Sequence, residues 1–147
     1  MNTRFFKHIA MITLSLILSS LVTSCELKRS NPLDPNNNQE ITAPPQVTGL
    51  TASGSGAGVL NKYVQLTWTK NIINTDGYYI YMGLAYNSAY AKIDTLVGNL
   101  STSNNMTRII PISTPGFYYF KVSAYKSYPA GNLEGTLSEW AIANVQN

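Results

Sequence analysis

A chain of 147 residues carrying ten basic and seven acidic side chains has room for about one domain of ordinary size. Lys62, Lys70, Lys92, Arg108 and Lys121 stand singly, which excludes the concentrated positive patch of a nucleic-acid binder. The single Cys, Cys25, and the single His, His8, both fall in the first 25 residues. The remainder therefore offers no Ser-His or Cys-His nucleophile pair, no imidazole or thiolate zinc site and no internal disulfide.

Residues 1–8, MNTRFFKH, are short and positively charged, and they lead into the apolar run Ile9 to Val22. That order, a charged start followed by a short hydrophobic stretch, is the pattern of a secretory signal peptide. Fourteen residues fall short of the roughly 20 that a transmembrane helix needs. The tetrapeptide Val22-Thr23-Ser24-Cys25 resembles the bacterial lipobox, an aliphatic residue and two small ones before the cysteine. The resemblance implies cleavage between Ser24 and Cys25 and attachment of lipid, palmitate included, to Cys25. It also implies a membrane partner reached through that anchor. Two or three acyl chains anchor a protein stably where one does not. Glu26 stands where an Asp would retain such a lipoprotein in the inner membrane, so the expected address is the outer membrane of a bacterial cell envelope. Removing residues 1–24 takes Arg4 and Lys7 with it, leaving eight basic against seven acidic side chains.

From Glu26 to Ala43 the chain reads ELKRSNPLDPNNNQEITA, polar, rich in Asn and Pro and without hydrophobic period. Residues 25–43 are therefore expected to form a flexible tether, with an end-to-end distance on the order of 25 Å as a coil. Asn36, Asn37 and Asn38 lack the alternating carboxylates and glycine of a calcium loop.

Beyond Pro44 the pattern changes to short β-branched and aromatic runs separated by Gly, Asn, Ser and Pro, as in an all-β sandwich. In Tyr63 to Trp68, the residues Val64, Leu66 and Trp68 share one face; in Phe117 to Tyr125, so do Tyr118, Phe120, Val122 and Ala124. No segment of residues 44–147 shows a capped 3.6-residue period, so very little helix is expected. Gly54, Gly56 and Gly58 read as a loop between the first two strands; neither Gly-Lys-Ser/Thr nor a following helix makes them a phosphate loop. Between Tyr86 and Ile112 no alternation stands out.

Four segments resemble the fibronectin type III family in order. They are Pro44 to Ala52, Val64 to Trp68 with its core tryptophan, Gly77 to Tyr81, and Pro115 to Tyr125. The last is similar to the family's Tyr-x-aromatic-x-Val-x-Ala strand, with Tyr118 where a tyrosine corner falls, its hydroxyl bonding back to nearby backbone. Gly135-Thr136-Leu137-Ser138 resembles the final turn before a strand ending at Val145. The resemblance covers about Pro44 to Asn147 and implies an immunoglobulin-like, fibronectin type III-like two-sheet sandwich of about seven strands. There is no Arg-Gly-Asp triplet.

If Tyr78, Ile80 and the even-numbered residues of 118–124 point inward, Tyr79, Tyr81, Tyr119 and Lys121 point outward from neighbouring strands. Phe117 and Tyr125 share that side, and Trp140 joins it because Ala141, Ala143 and Val145 form the inward set of the last strand. Tyr79, Tyr81, Tyr119, Lys121 and Trp140 are thus the candidate binding face for a protein or polysaccharide partner, although cross-strand aromatic pairs also stabilise a sheet in their own right. No catalytic group, metal or cofactor other than the lipid on Cys25 is expected. The readings in order are an interaction module, a structural spacer or assembly subunit, and a glycosidase drawing on Asp76, Asp94, Glu134 and Glu139. Cys25→Ser is expected to abolish incorporation of labelled palmitate and to move the chain from the membrane to the soluble fraction, as read by metabolic labelling and fractionation.

Overall fold

A computed structural model describes residues 31–34, 40–98 and 102–147; the signal sequence, Ser24, Cys25 and most of the expected tether lie outside the described residues. The regular elements are eight strands: β1 (Thr51–Gly54), β2 (Tyr63–Thr69), β3 (Gly77–Gly83), β4 (Ala91–Val97), β5 (Asn105–Pro111), β6 (Gly116–Tyr128), β7 (Gly131–Glu134) and β8 (Ala141–Val145). One sheet has the order β1-β2-β5; the other runs β4-β3-β6-β7, with β8 also paired to β6. All pairings are antiparallel. The two-sheet all-β sandwich expected from the alternating runs is what forms.

The core follows from that alternation. Val64, Leu66 and Trp68 of β2, Tyr78 and Ile80 of β3, and Phe120, Val122 and Ala124 of β6 are all fully buried between the sheets. Trp68 meets Tyr78 edge to face, with ring centroids 5.3 Å apart. Tyr118 closes the corner leading into β6: its hydroxyl donates to the carbonyl of Thr114 at 2.9 Å and lies 2.9 Å from the Thr114 hydroxyl.

The last strand is interrupted. β7 pairs with the C-terminal half of β6 and β8 with its N-terminal half, which adds one short strand to the about seven expected. Across the gap, Gly135 N donates to Ala124 O and Ser138 N to Val122 O. Val122 N in turn donates to the Ser138 hydroxyl at 2.9 Å. The buried Ser138 thus stands in for a ladder residue, and the central strand keeps its backbone hydrogen bonds.

The two flanks of the sandwich differ. On one, β1 and β8 seal the layers: Gln146 N donates to Ser55 O, and a β-carbon on Gly54 would lie 2.1 Å from Asn144 O. On the other, β4 and β5 are edge strands. The register of β4 shifts at Ile80/Tyr81, where Ile93 is the extra residue. There Asp94 accepts from Arg108 Nε at 2.7 Å, across the layers. Met82, Ile93, Ile110 and Ile112 line the cleft beside that pair.

The ordered lead-in begins earlier than the boundary at Pro44 suggests. Ile41 is buried, and Thr42 N donates to the Tyr128 hydroxyl, which in turn donates to Thr42 O, each at 3.0 Å. β1 itself starts only at Thr51, because Pro44 and Pro45 lack ladder donors and Gly49 takes a positive φ of 66°. Gly54→Ala is expected to lower unfolding stability by more than about 1 kcal/mol, whereas Gly56→Ala, which would meet nothing within 4 Å, should stay within about 0.5 kcal/mol; urea denaturation distinguishes the two.

Candidate functional site

The outer face of the five-stranded sheet is set by register. Tyr81 lies opposite Lys121, Gly83 opposite Tyr119, and Tyr119 opposite Ile142, so the odd-numbered residues of β3 and β6 and the even-numbered residues of β8 share one surface. Gly83 matters here because it has no side chain. A β-carbon there would come within 2.7 Å of the Ser88 hydroxyl and 3.4 Å of the Tyr90 ring. Its absence lets the connection between β3 and β4 fold back over the sheet. That turn is held by Ser88, whose N–H and hydroxyl both donate to Ala85 O. The fold-back carries Tyr86 and Tyr90 onto the outer face.

Two neighbourhoods result. In the first, Tyr79 stacks on Tyr125 with centroids 4.5 Å apart and planes 20° apart. Its hydroxyl accepts from Asn132 Nδ2 at 2.8 Å, and the Lys92 ammonium sits 3.5 Å above its ring and 5.9 Å from that of Tyr81. Tyr81 donates its hydroxyl proton to Glu134 Oε1 at 2.7 Å, and Ser123 donates to the same oxygen at 2.5 Å. Burial, reinforced by that carboxylate, raises the Tyr81 phenol well above its ordinary range. Here the polar atoms have intramolecular partners and the rings cover one another. The chemistry is that of a cross-strand network that stabilises the sheet.

The second neighbourhood is open. Trp140, just before β8, is 45% exposed; its ring lies 5.7 Å from that of Tyr119 and 6.4 Å from that of Tyr86. Around it Tyr86 is 60%, Phe117 59% and Ile142 41% exposed. Lys121 marks the boundary between the two, its ammonium 5.0 Å from the Tyr90 ring centre. The five residues singled out from the sequence therefore share one face but not one environment. Tyr79 and Tyr81 sit in the closed network, and Tyr119 and Trp140 sit in the open patch. Tyr86 was missed because it lies in a loop without alternation. The signal that would have found it is Gly83, where β3 ends and leaves space above the sheet.

The carboxylates are dispersed. Asp76 is held by Lys126 Nζ at 2.8 Å and by Ser127 N at 2.9 Å, which keep its carboxyl below the ordinary range. Asp94 is bound to Arg108 at the open flank, Glu134 belongs to the tyrosine network, and Glu139 is exposed. Among the described residues no three acidic, His or Cys side chains group to hold a metal ion.

Two antiparallel sheets of three and five strands, a core tryptophan and a tyrosine corner define an immunoglobulin-like, fibronectin type III-like sandwich. One solved structure of the same class supports this fold. A Fn3-like protein from Clostridium thermocellum aligns at 27% identity with a TM-score of 0.51, covering 72% of this chain and 97% of that one. Titin kinase with its flanking domains aligns at 18% identity and a TM-score of 0.43, over 67% of this chain and 16% of that one. A human collagen XX FN3 domain aligns at 19% identity and a TM-score of 0.37, over 65% of this chain and 88% of that one. No protein-family model matches the sequence, and no curated protein is significantly similar to it. A fold of this kind marks an interaction or structural module.

The tyrosines set an alkaline limit on stability. Burial raises Tyr78, Tyr81, Tyr90 and Tyr125 above their ordinary value, so the unfolded chain loses these protons at a lower pH than the folded one. The stabilisation is full below about pH 10 and is lost as pH climbs toward the folded values. Urea midpoints measured from pH 8 upward are expected to fall above pH 10, and to fall less steeply in Tyr81→Phe.

Proposed function

We propose that the chain is a lipid-anchored lipoprotein of the bacterial cell envelope, most simply of the outer membrane, whose sandwich binds a protein partner through the Trp140 face. The observation that carries the binding reading is the exposure of Trp140 beside Tyr119 and Tyr86, while Tyr79 and Tyr81 a few residues away are engaged within the domain. Tryptophan and tyrosine are the side chains most often found to dominate binding energy at protein interfaces. Rings packed against one another in advance lose little freedom on association.

The shape of the patch favours protein over polysaccharide. The Tyr86 and Tyr119 planes are tilted 45° and 61° from that of Trp140, so the three rings do not make a flat platform on which successive sugar rings stack. Phe117 and Ile142 extend the surface with purely apolar groups, suited to the side chains of a partner protein. The address rests on Val22 to Cys25 and on Glu26, and the lipid supplies location while the sandwich supplies the platform.

A photoreactive residue at Ile142 is expected to cross-link a discrete envelope protein in living cells, and one at Thr67, on the opposite sheet, is not. Trp140→Ser should remove the adduct without changing the thermal unfolding temperature by more than a few degrees. Equal cross-linking from both positions, or an adduct that survives Trp140→Ser, would overturn the reading; binding of the purified domain to envelope polysaccharide, lost in Trp140→Ser, would replace the protein partner with a glycan.

A further inference from the structure

The segment ahead of the sandwich contains three large aliphatic side chains, Leu27, Leu33 and Ile41. Two of them meet the turn that joins β6 to β7. Ile41 is 8% exposed and, with Pro32 and Glu40, lines a cleft of about 310 Å3 whose other wall is Tyr128, Pro129 and Ala130. Leu33 Cδ1 lies 3.5 Å from the point a β-carbon on Gly131 would occupy, a position that takes a positive φ of 135° and is thereby suited to glycine.

Polar contacts fasten the same stretch. The Tyr128 hydroxyl accepts from Thr42 N and donates to Thr42 O, each at 3.0 Å. Asn74, the one non-glycine residue with positive φ among those described, donates its side-chain amide to that same carbonyl. Further along, Asn71 Nδ2 donates to Pro45 O at 2.7 Å and Gln46 Nε2 to Leu137 O at 2.7 Å. A coil tether would not form the Leu33, Ile41 and Thr42 contacts persistently, because each must overcome the entropy of ordering the chain.

We propose that the β6–β7 turn is a docking site for the chain's own lead-in, with Pro32-Leu33 as the outer contact and Ile41-Thr42 as the inner one. Between Cys25 and the outer contact at Pro32 the sequence has six residues, 26–31. Six residues span at most about 20 Å, so on the lipid-anchored reading, on which this consequence rests, the turn end of the sandwich is held near the headgroups. The Trp140 patch is then presented from a domain of restricted reach rather than from a long leash.

The docking is tested without the lipid. In the chain from residue 25 onward with Cys25→Ser, which has no other cysteine, a nitroxide is attached at Asn31→Cys and amide signals are followed by NMR. The expected result is selective loss of the Ala130, Gly131 and Asn132 signals, recovered when Leu33→Asp is added and partly recovered with Tyr128→Phe. Both variants should keep the core spectrum of Trp68 and Phe120. Weak broadening spread evenly along the chain, or selective loss that persists in Leu33→Asp, would overturn the proposal. Failure of the lipid reading would show separately, as a chain that stays soluble in cells with Cys25 intact.

Discussion

The strict two-residue alternation of β6 is the constraint on which the rest depends. Its even-numbered side chains, Tyr118, Phe120, Val122 and Ala124, face the inner layer, and its odd-numbered ones carry the outer surface. The strand has β3 on one side and, in succession, β8 and β7 on the other. A slip of one residue would exchange the core for the outer face. Ser138 and Gly135 guard against this by holding the backbone of Val122 and Ala124 where the neighbouring strand breaks, and Tyr118 ties the strand's beginning to Thr114.

Once that register is set, the outer face divides according to what each strand places opposite the tyrosines. Where β7 brings Asn132 and Glu134 and β4 brings Lys92, the aromatic hydroxyls and ring faces find partners inside the domain. Where β8 brings Ile142 and the preceding residues bring Trp140, the neighbouring groups are aliphatic and aromatic, and Trp140 and Tyr86 remain open to solvent. One sheet thus supports two chemistries within a few residues, a closed hydrogen-bonded network and an apolar patch. The boundary falls at Lys121.

The architecture was legible where a strand buries one face completely. β2 and β6 announced themselves by alternation, and β3 and β8 through the resemblance to fibronectin type III strands. Pairing of inner and outer sets along β3 and β6 was enough to bring Tyr79, Tyr81, Tyr119 and Lys121 to one side. β4 and β5 were not legible, for a physical reason. Both are edge strands; β4 is broken by the extra residue Ile93, and in β5 the inward position between Met106 and Ile110 is Arg108. β7 contains four residues with Leu133 as its one large apolar side chain, too little to show a period. The difference between a saturated tyrosine and an open one depends on residues 11 to 54 positions away in the sequence, which no local pattern encodes.

The flank between β4 and β5 has a bearing on how copies of the chain behave side by side. A sheet edge with regular, unpaired backbone groups invites a strand from a neighbouring molecule to extend it, and crowding makes such encounters frequent. Here a visiting strand finds the spacing of β4 interrupted at Ile93 and, just behind the edge, the Asp94–Arg108 pair bridging the layers. Propagation from one molecule to the next would have to accept a broken ladder and strip water from two charges. The irregularity that hid these strands in the sequence therefore lets many sandwiches stand close together without knitting into a shared sheet.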